Sequence, residues 1–157
     1  GSLMALATGT SIEAFGGWAL VSAATPALVS DDAFSVIASA AAWTNTDDAS
    51  FASFRFNGNY EPTPTVNKPI NLYARLINFN GASGDEPIPD STYHNHYLGS
   101  FIVDAVTSEQ YLVLADAPLP NAATSQEMEF YIENRTGIEL NANWALSINP
   151  KGFAVVA

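Results

Sequence analysis

The chain contains no cysteine. That removes disulfides, thiolate nucleophiles and cysteine-type zinc sites, and it leaves the compartment open because nothing here responds to redox. Basic residues are scarce, with five Lys and Arg against sixteen Asp and Glu and a formal charge of -11. Arg55, Lys68, Arg75, Arg135 and Lys151 stand singly along the sequence. A phosphate backbone needs clustered cations to displace its counterions, so nucleic acid is disfavoured as a partner, and an anionic membrane surface with it. No apolar run is long enough to cross a bilayer, and no stretch has the order of a signal peptide. Little of the chain has helical period. Catalytic signatures are lacking as well. There is no Gly-x-Ser-x-Gly elbow, and Phe15-Gly16-Gly17-Trp18 is too short for a phosphate loop.

What is present is alternation of period two, the mark of half-buried strands. Ile70, Leu72, Ala74 and Leu76 share one face of a run that opens at Pro69, with Asn71, Tyr73 and Arg75 on the other. Met128, Phe130 and Ile132 alternate with Glu129, Tyr131 and Glu133. Trp144, Leu146 and Ile148 alternate with Ala145, Ser147 and Asn149, and Ala52, Phe54 and Phe56 oppose Ser53 and Arg55. Further apolar runs lie at 17–22, 98–106 and 111–114. Asn57-Gly58, Asn80-Gly81 and Asn134-Arg135-Thr136-Gly137 read as turns, and Pro62, Pro64, Pro87, Pro89, Pro118 and Pro120 mark irregular links. The stretch from Ser30 to Ala42 fits either a capped helix or a short strand over 34–37, and the strand agrees better with the rest.

With 157 residues, about seven or eight short strands and no repeat or change in composition, the expectation is one all-β domain. Its architecture is an antiparallel β-sandwich of jelly-roll or Greek-key type with little or no helix, a closed barrel being the alternative. Residues 17–157 form that domain. Residues 1–16 read as an N-terminal arm, in which 1–3 look vector-derived ahead of a start at Met4.

Both histidines lie in Tyr93-His94-Asn95-His96-Tyr97. In an extended chain His94 and His96 share a face and can supply half of a zinc site. A third ligand would have to come from Asp85, Glu86 or Asp90, and a polar approach to the strand near Leu98 explains the pattern more simply. Asp31-Asp32, Asp47-Asp48 and Asp85-Glu86 lack the spacing of a calcium loop and read as solvated faces. Glu129 and Glu133 have the chemistry of a glycosidase pair, but outward carboxylates on a strand are ordinary. Asn134-Arg135-Thr136 matches a glycosylation acceptor. No catalytic residue, cofactor or metal is expected. The residues with most to offer a ligand or a subunit interface are Tyr73, Arg75, Tyr93, Tyr97 and Tyr131, because exposed aromatic and guanidinium groups stack on sugars and are enriched where proteins meet.

The stretches 97–101, 106–107, 110–111 and 119–120, followed by Ser125-Gln126-Glu127, 130–134, Thr136-Gly137 and Trp144-Ala145-Leu146, resemble a group of small tailed-phage and prophage head-associated proteins. Trp43-Thr44-Asn45 and 71–75 fit the same group, so the likeness runs from about Gly17 to Lys151. The resemblance implies a β-sandwich that decorates or cements a capsid, a trimer as the assembly, the major capsid protein or another virion protein as partner, and the virion as location. It implies no catalytic residues. A carbohydrate-binding or receptor-binding module is the competing expectation.

Overall fold

The computed structural model describes residues 10–79 and 83–155. The described strands are β1 (Thr10–Ala14), β2 (Ala19–Leu20), β3 (Trp43–Thr44), β4 (Phe51–Gly58), β5 (Pro69–Ile77), β6 (His96–Ile102), β7 (Gln110–Pro118), β8 (Glu127–Asn134) and β9 (Ala145–Val155). They form two antiparallel sheets. One has the order β1-β9-β4-β7 with β2 also beside β9, and the other has the order β3-β8-β5-β6. Since β1 and β2 both pair with β9, they act as one interrupted strand. From β2 onward, consecutive strands lie in opposite sheets except β5 and β6. That alternation is the jelly-roll form of the sandwich.

The core is the sum of the inward faces. Ala52, Phe54 and Phe56 of β4 and Leu146 and Ile148 of β9 meet Ile70, Leu72, Phe101, Phe130 and Ile132 from the other sheet, all nearly or wholly buried. Aromatic rings bridge the layers: Phe54 meets Phe130 edge-on at 5.1 Å, and Phe56 lies 5.6 Å from Phe101. Burying such side chains is the main stabilising contribution, roughly 1.5–3 kcal/mol each. Trp144 is buried too, and its indole N–H donates to the Ala27 carbonyl at 2.9 Å, so its polar atom is met inside.

Three expectations change on contact with the structure. Thr10–Ala14 is a sheet strand paired along its length with β9, so that part of the supposed arm belongs to the domain; residues 1–9 lie outside the described ones. Asn57-Gly58 is not a turn. Both residues pair with β7, and a Cβ on Gly58 would sit 2.9 Å from Leu140, so glycine is there for close approach. The stretch 30–42 is neither a full helix nor a full strand: Phe34 makes a single bridge to Glu133, and Ile37–Ser39 is one 3₁₀ turn. Asn80-Gly81 lies outside the described residues. At 134–137 the chain leaves β8 at Asn134 and bends over 136–138, well before β9 begins at Ala145.

Gly99 occupies the β5–β6 bulge with φ of 150°, and a Cβ there would lie 2.7 Å from Leu114 of the opposite sheet. Replacement strains the backbone and overfills the core together. Gly99→Ala is expected to cost about 1–3 kcal/mol in urea unfolding. An unchanged midpoint would contradict this packing.

Candidate functional surface

The two sheets expose very different outer faces. On the β3-β8-β5-β6 sheet the outward residues include Tyr73, Arg75, Glu129, Tyr131 and Glu133. The alternation makes Tyr73, Arg75 and Tyr131 candidates for an exposed ligand or interface face, but Tyr131 is completely buried and Tyr73 is 7% exposed. The reason is that loops fold over them. Rings of Phe34, His94 and Tyr97 surround Tyr73 at 5.5–5.7 Å for Phe34, Tyr97 and His94. Segment 32–35 hydrogen-bonds along β8: Ser35 N donates to Ile132 O, and Asn134 N donates to Ala33 O.

Arg75 fastens the second loop. Its Nε donates to the Glu86 carbonyl at 2.7 Å, one terminal nitrogen meets Glu129 at 2.7 Å, and the other lies 3.7 Å from Asp85. Burial opposes its charge, yet the Glu129 hydrogen bond and the neighbouring carboxylates hold the guanidinium more firmly protonated than usual. Glu129 also accepts from the Tyr131 hydroxyl at 2.9 Å. Glu133 accepts from Asn71 at 2.9 Å and weakly from Tyr73 at 3.4 Å. The two glutamates thus both serve as acceptors in hydrogen bonds that tie the sheet face together.

The histidines part company. His94 Nδ1 lies 2.9 Å from the Asp90 carbonyl, whereas His96 Nε2 lies 2.7 Å from the Glu86 carboxylate. The other Glu86 oxygen accepts from Leu76 N. The Asp90 carboxylate takes the backbone N–H groups of Tyr93 and Thr92, which lower its pKa. Among the described residues no three of the His, Asp and Glu side chains gather as a metal site. The acidic pairs are engaged likewise: Asp31 accepts from Gly137 N, Asp32 pairs with Arg135, Asp48 accepts from Ser125 N and Asp85 accepts from Asn78 N. Asn134 and Thr136, the glycosylation match, are both fully buried, and the Asn134 amide donates to Val29 and Ile138 carbonyls. Of the expected ligand-face residues, Tyr93 and Tyr97 remain about half exposed, at 51% and 55%.

The outer face of the other sheet is open, a feature that sequence alternation did not single out. Leu20, Ser147, Arg55 and Val113 form one row across β2, β9, β4 and β7. The next row holds Ala145, Asn57 and Tyr111. Tyr111 is 79% exposed and Val113 65%. Arg55 lies over the Trp18 ring at 4.7 Å, a cation–π contact. A shallow groove of about 280 Å³ runs between β4 and β7, bordered by Arg55, Asn57 and Tyr111. The charged side chains at outward positions of β4 and β9 are Arg55 and Lys151; Asp116 on β7 pairs with Lys151 at 2.9 Å. At the end of the face both Glu109 oxygens are held by the amides of Asn57 and Asn59.

Comparison of the chain with protein-family models, curated proteins and solved structures gave no significant match.

Two outcomes test the closed face. Arg75→Met leaves the Glu129 carboxylate buried without its partner, and should cost about 3–5 kcal/mol in urea unfolding and open the 83–95 loop to protease. Adding Glu129→Gln should recover part of the loss. The Tyr73 phenol is pushed up from 10.0 to about 12, first by burial and then by the Glu133 charge and hydrogen bond. Tyr131 is raised for the same kind of reason, with Glu129 as neighbour. A phenol whose pKa is higher folded than unfolded contributes stability that is complete below pH 10 and lost as pH rises towards about 12. The denaturation midpoint should fall across that window, and less steeply in Tyr73→Phe. A flat profile would contradict the burial.

Proposed function

We propose that this protein is a structural component of a bacteriophage virion, a decoration or cement subunit on the head surface that acts by adhesion and not by catalysis. It works as a homo-oligomer, a trimer, bound to the major capsid protein or another virion protein. The observation that carries the reading is the inequality of the two sheet faces: one closed by the chain's own loops, the other open, with Leu20, Tyr111 and Val113 exposed around Arg55. A broad flat face suits adhesion to a protein surface, where a catalyst requires convergent groups in a cleft. Jelly rolls serve in capsids and in lectin domains, so the fold is compatible with the reading without selecting it. The phage-like strand and turn signatures lend support in the same direction.

Co-sedimentation tests it. Purified heads of the phage or prophage that encodes the chain should carry the protein into the pellet to a saturating ratio, and heads of an unrelated phage should not. Absence from both pellets would end the virion reading.

One observation favours a glycan-binding module as the second reading. The half-exposed Tyr97 ring borders an open groove of about 300 Å³ with His96, Pro118 and Pro120, and its hydroxyl is fixed on Ser100. A glycan array that stays blank would remove it.

A further inference from the structure

The β3-β8-β5-β6 sheet is covered over its middle, but a polar groove stays open at one end. It holds about 430 Å³ and is lined by Asp31, Asp32, Thr65, Lys68, Asn71 and Arg135 among others. Its walls are loop segments hydrogen-bonded to one another. Thr65 N donates to Thr136 O at 3.1 Å, Arg135 N to Pro69 O at 3.1 Å, and Asp32 N to Asn134 O at 2.7 Å. Gly137 N donates to the Asp31 carboxylate at 2.9 Å. The hollow is therefore preformed, and its size suits a small molecule.

The lining says which kind. Arg135 and Asp32 meet each other at 3.2 Å, so much of their charge is answered within the groove. Asn71 is spent on Glu133 and Ser100 and serves as wall. Among the described residues the Lys68 ammonium and the Thr65 hydroxyl have no hydrogen bond or ion pair, and Gly137 N engages one Asp31 oxygen and leaves the other. Two cations and two carboxylates line the groove, with Glu133 behind Asn71 as a third carboxylate. An anion is not drawn to such a place, and a cation meets Lys68 and Arg135. What remains is donors and acceptors side by side. A hydroxyl is both, and a sugar is a ring that carries an array of them.

We infer that this groove binds a neutral sugar, whose hydroxyls donate to Asp31 and Asp32 and accept from Lys68, Arg135 and Thr65. It shares no lining residue with the groove beside Tyr97, and it does not depend on attachment to a head.

The test is an amide-resolved NMR titration with galactose, mannose and N-acetylglucosamine, each to about 50 mM, enough to saturate a millimolar site. At least one sugar should shift the amides of 31–32, 65–68 and 135–137 saturably. Glycine and sodium acetate at the same concentration should not. Lys68→Met and Thr65→Val change exposed groups without partners, so the fold should survive, which far-UV circular dichroism checks. Lys68→Met should raise Kd roughly tenfold or more, the loss expected of a hydrogen bond to a charged group, and Thr65→Val about threefold. Shifts from glycine or acetate as strong as any sugar's would mean an ionic or unspecific site and would overturn the inference. So would a Kd that ignores both substitutions, or no saturable shift with any of the three sugars. Sugar shifts confined to 95–98 and 119 would place the sugar beside Tyr97, overturning this site and leaving the glycan reading intact. None of these outcomes bears on co-sedimentation with heads, so the virion reading stands or falls separately.

Discussion

A guanidinium on the outer side of a strand cannot be covered unless each of its donors is met, and Arg75 is covered. Its nitrogens reach Glu129 on the neighbouring strand and the Glu86 carbonyl on the loop, with Asp85 farther off. The arrangement ties a surface loop to the middle of a sheet. Glu86 tightens it, since its backbone N–H donates to Leu76 O, one carboxylate oxygen accepts from Leu76 N and the other meets His96. Charge-assisted bonds of this kind are the strong ones, and removing one partner of a buried pair is costly. With the loop held down, Tyr73 and Tyr131 can be buried on what would otherwise be the wet side of the sheet. The sandwich therefore has a second, smaller apolar layer outside its main core.

That layer makes the two sides of the molecule unequal. The closed side spends its aromatic residues internally, on Tyr73, Tyr131 and Phe34. The open side leaves Trp18, Leu20, Tyr111 and Val113 in solvent. Elsewhere the irregular chain is tied down by amides. Asn45 is fully buried and bonds both the N–H and the carbonyl of Ala49, and the Asn134 side chain bonds Val29, Ile138 and Thr136. Such bonds let long connections run against the sheets without leaving backbone groups unmet. They hold the described loops of an Asn-rich chain against its sheets.

The strands were readable because one face of each is apolar and the period is two. Ile70, Leu72, Ala74 and Leu76 point inward as the alternation required, and so do Met128, Phe130 and Ile132. What alternation cannot show is whether the polar side of a strand is later covered. Tyr73, Arg75 and Tyr131 occupy polar-side positions and looked exposed for that reason, yet the cover comes from Phe34 and His94, far away in sequence or across a loop. Nor could spacing separate His94 from His96. They are two apart, but His96 opens β6 while His94 lies in the loop, so their nitrogens serve different partners. Asn57-Gly58 misled in the same way, because a glycine required by the Leu140 side chain looks like a glycine required by a turn. The open face was hidden for the opposite reason: its residues come from four strands widely separated along the chain, and only register puts them in rows.

The dimensions of that face bear on how it can hold a partner. Four strands at about 4.8 Å spacing, paired over about seven residues of about 3.3 Å rise, give roughly 450 Å² in projection. A stable pairwise interface needs about 800 Å² from each partner. The sheet face is therefore too small to hold two copies together strongly by itself, even with Tyr111 and Val113 exposed on its edge strand. Loops at its margin must add area, or each copy must make more than one contact. Under the proposed head-surface role, attachment to a repeating lattice would multiply contacts, and effective concentration turns several weak contacts into one durable attachment. A face of this size and polarity is better matched to assembly in numbers than to one tight pair.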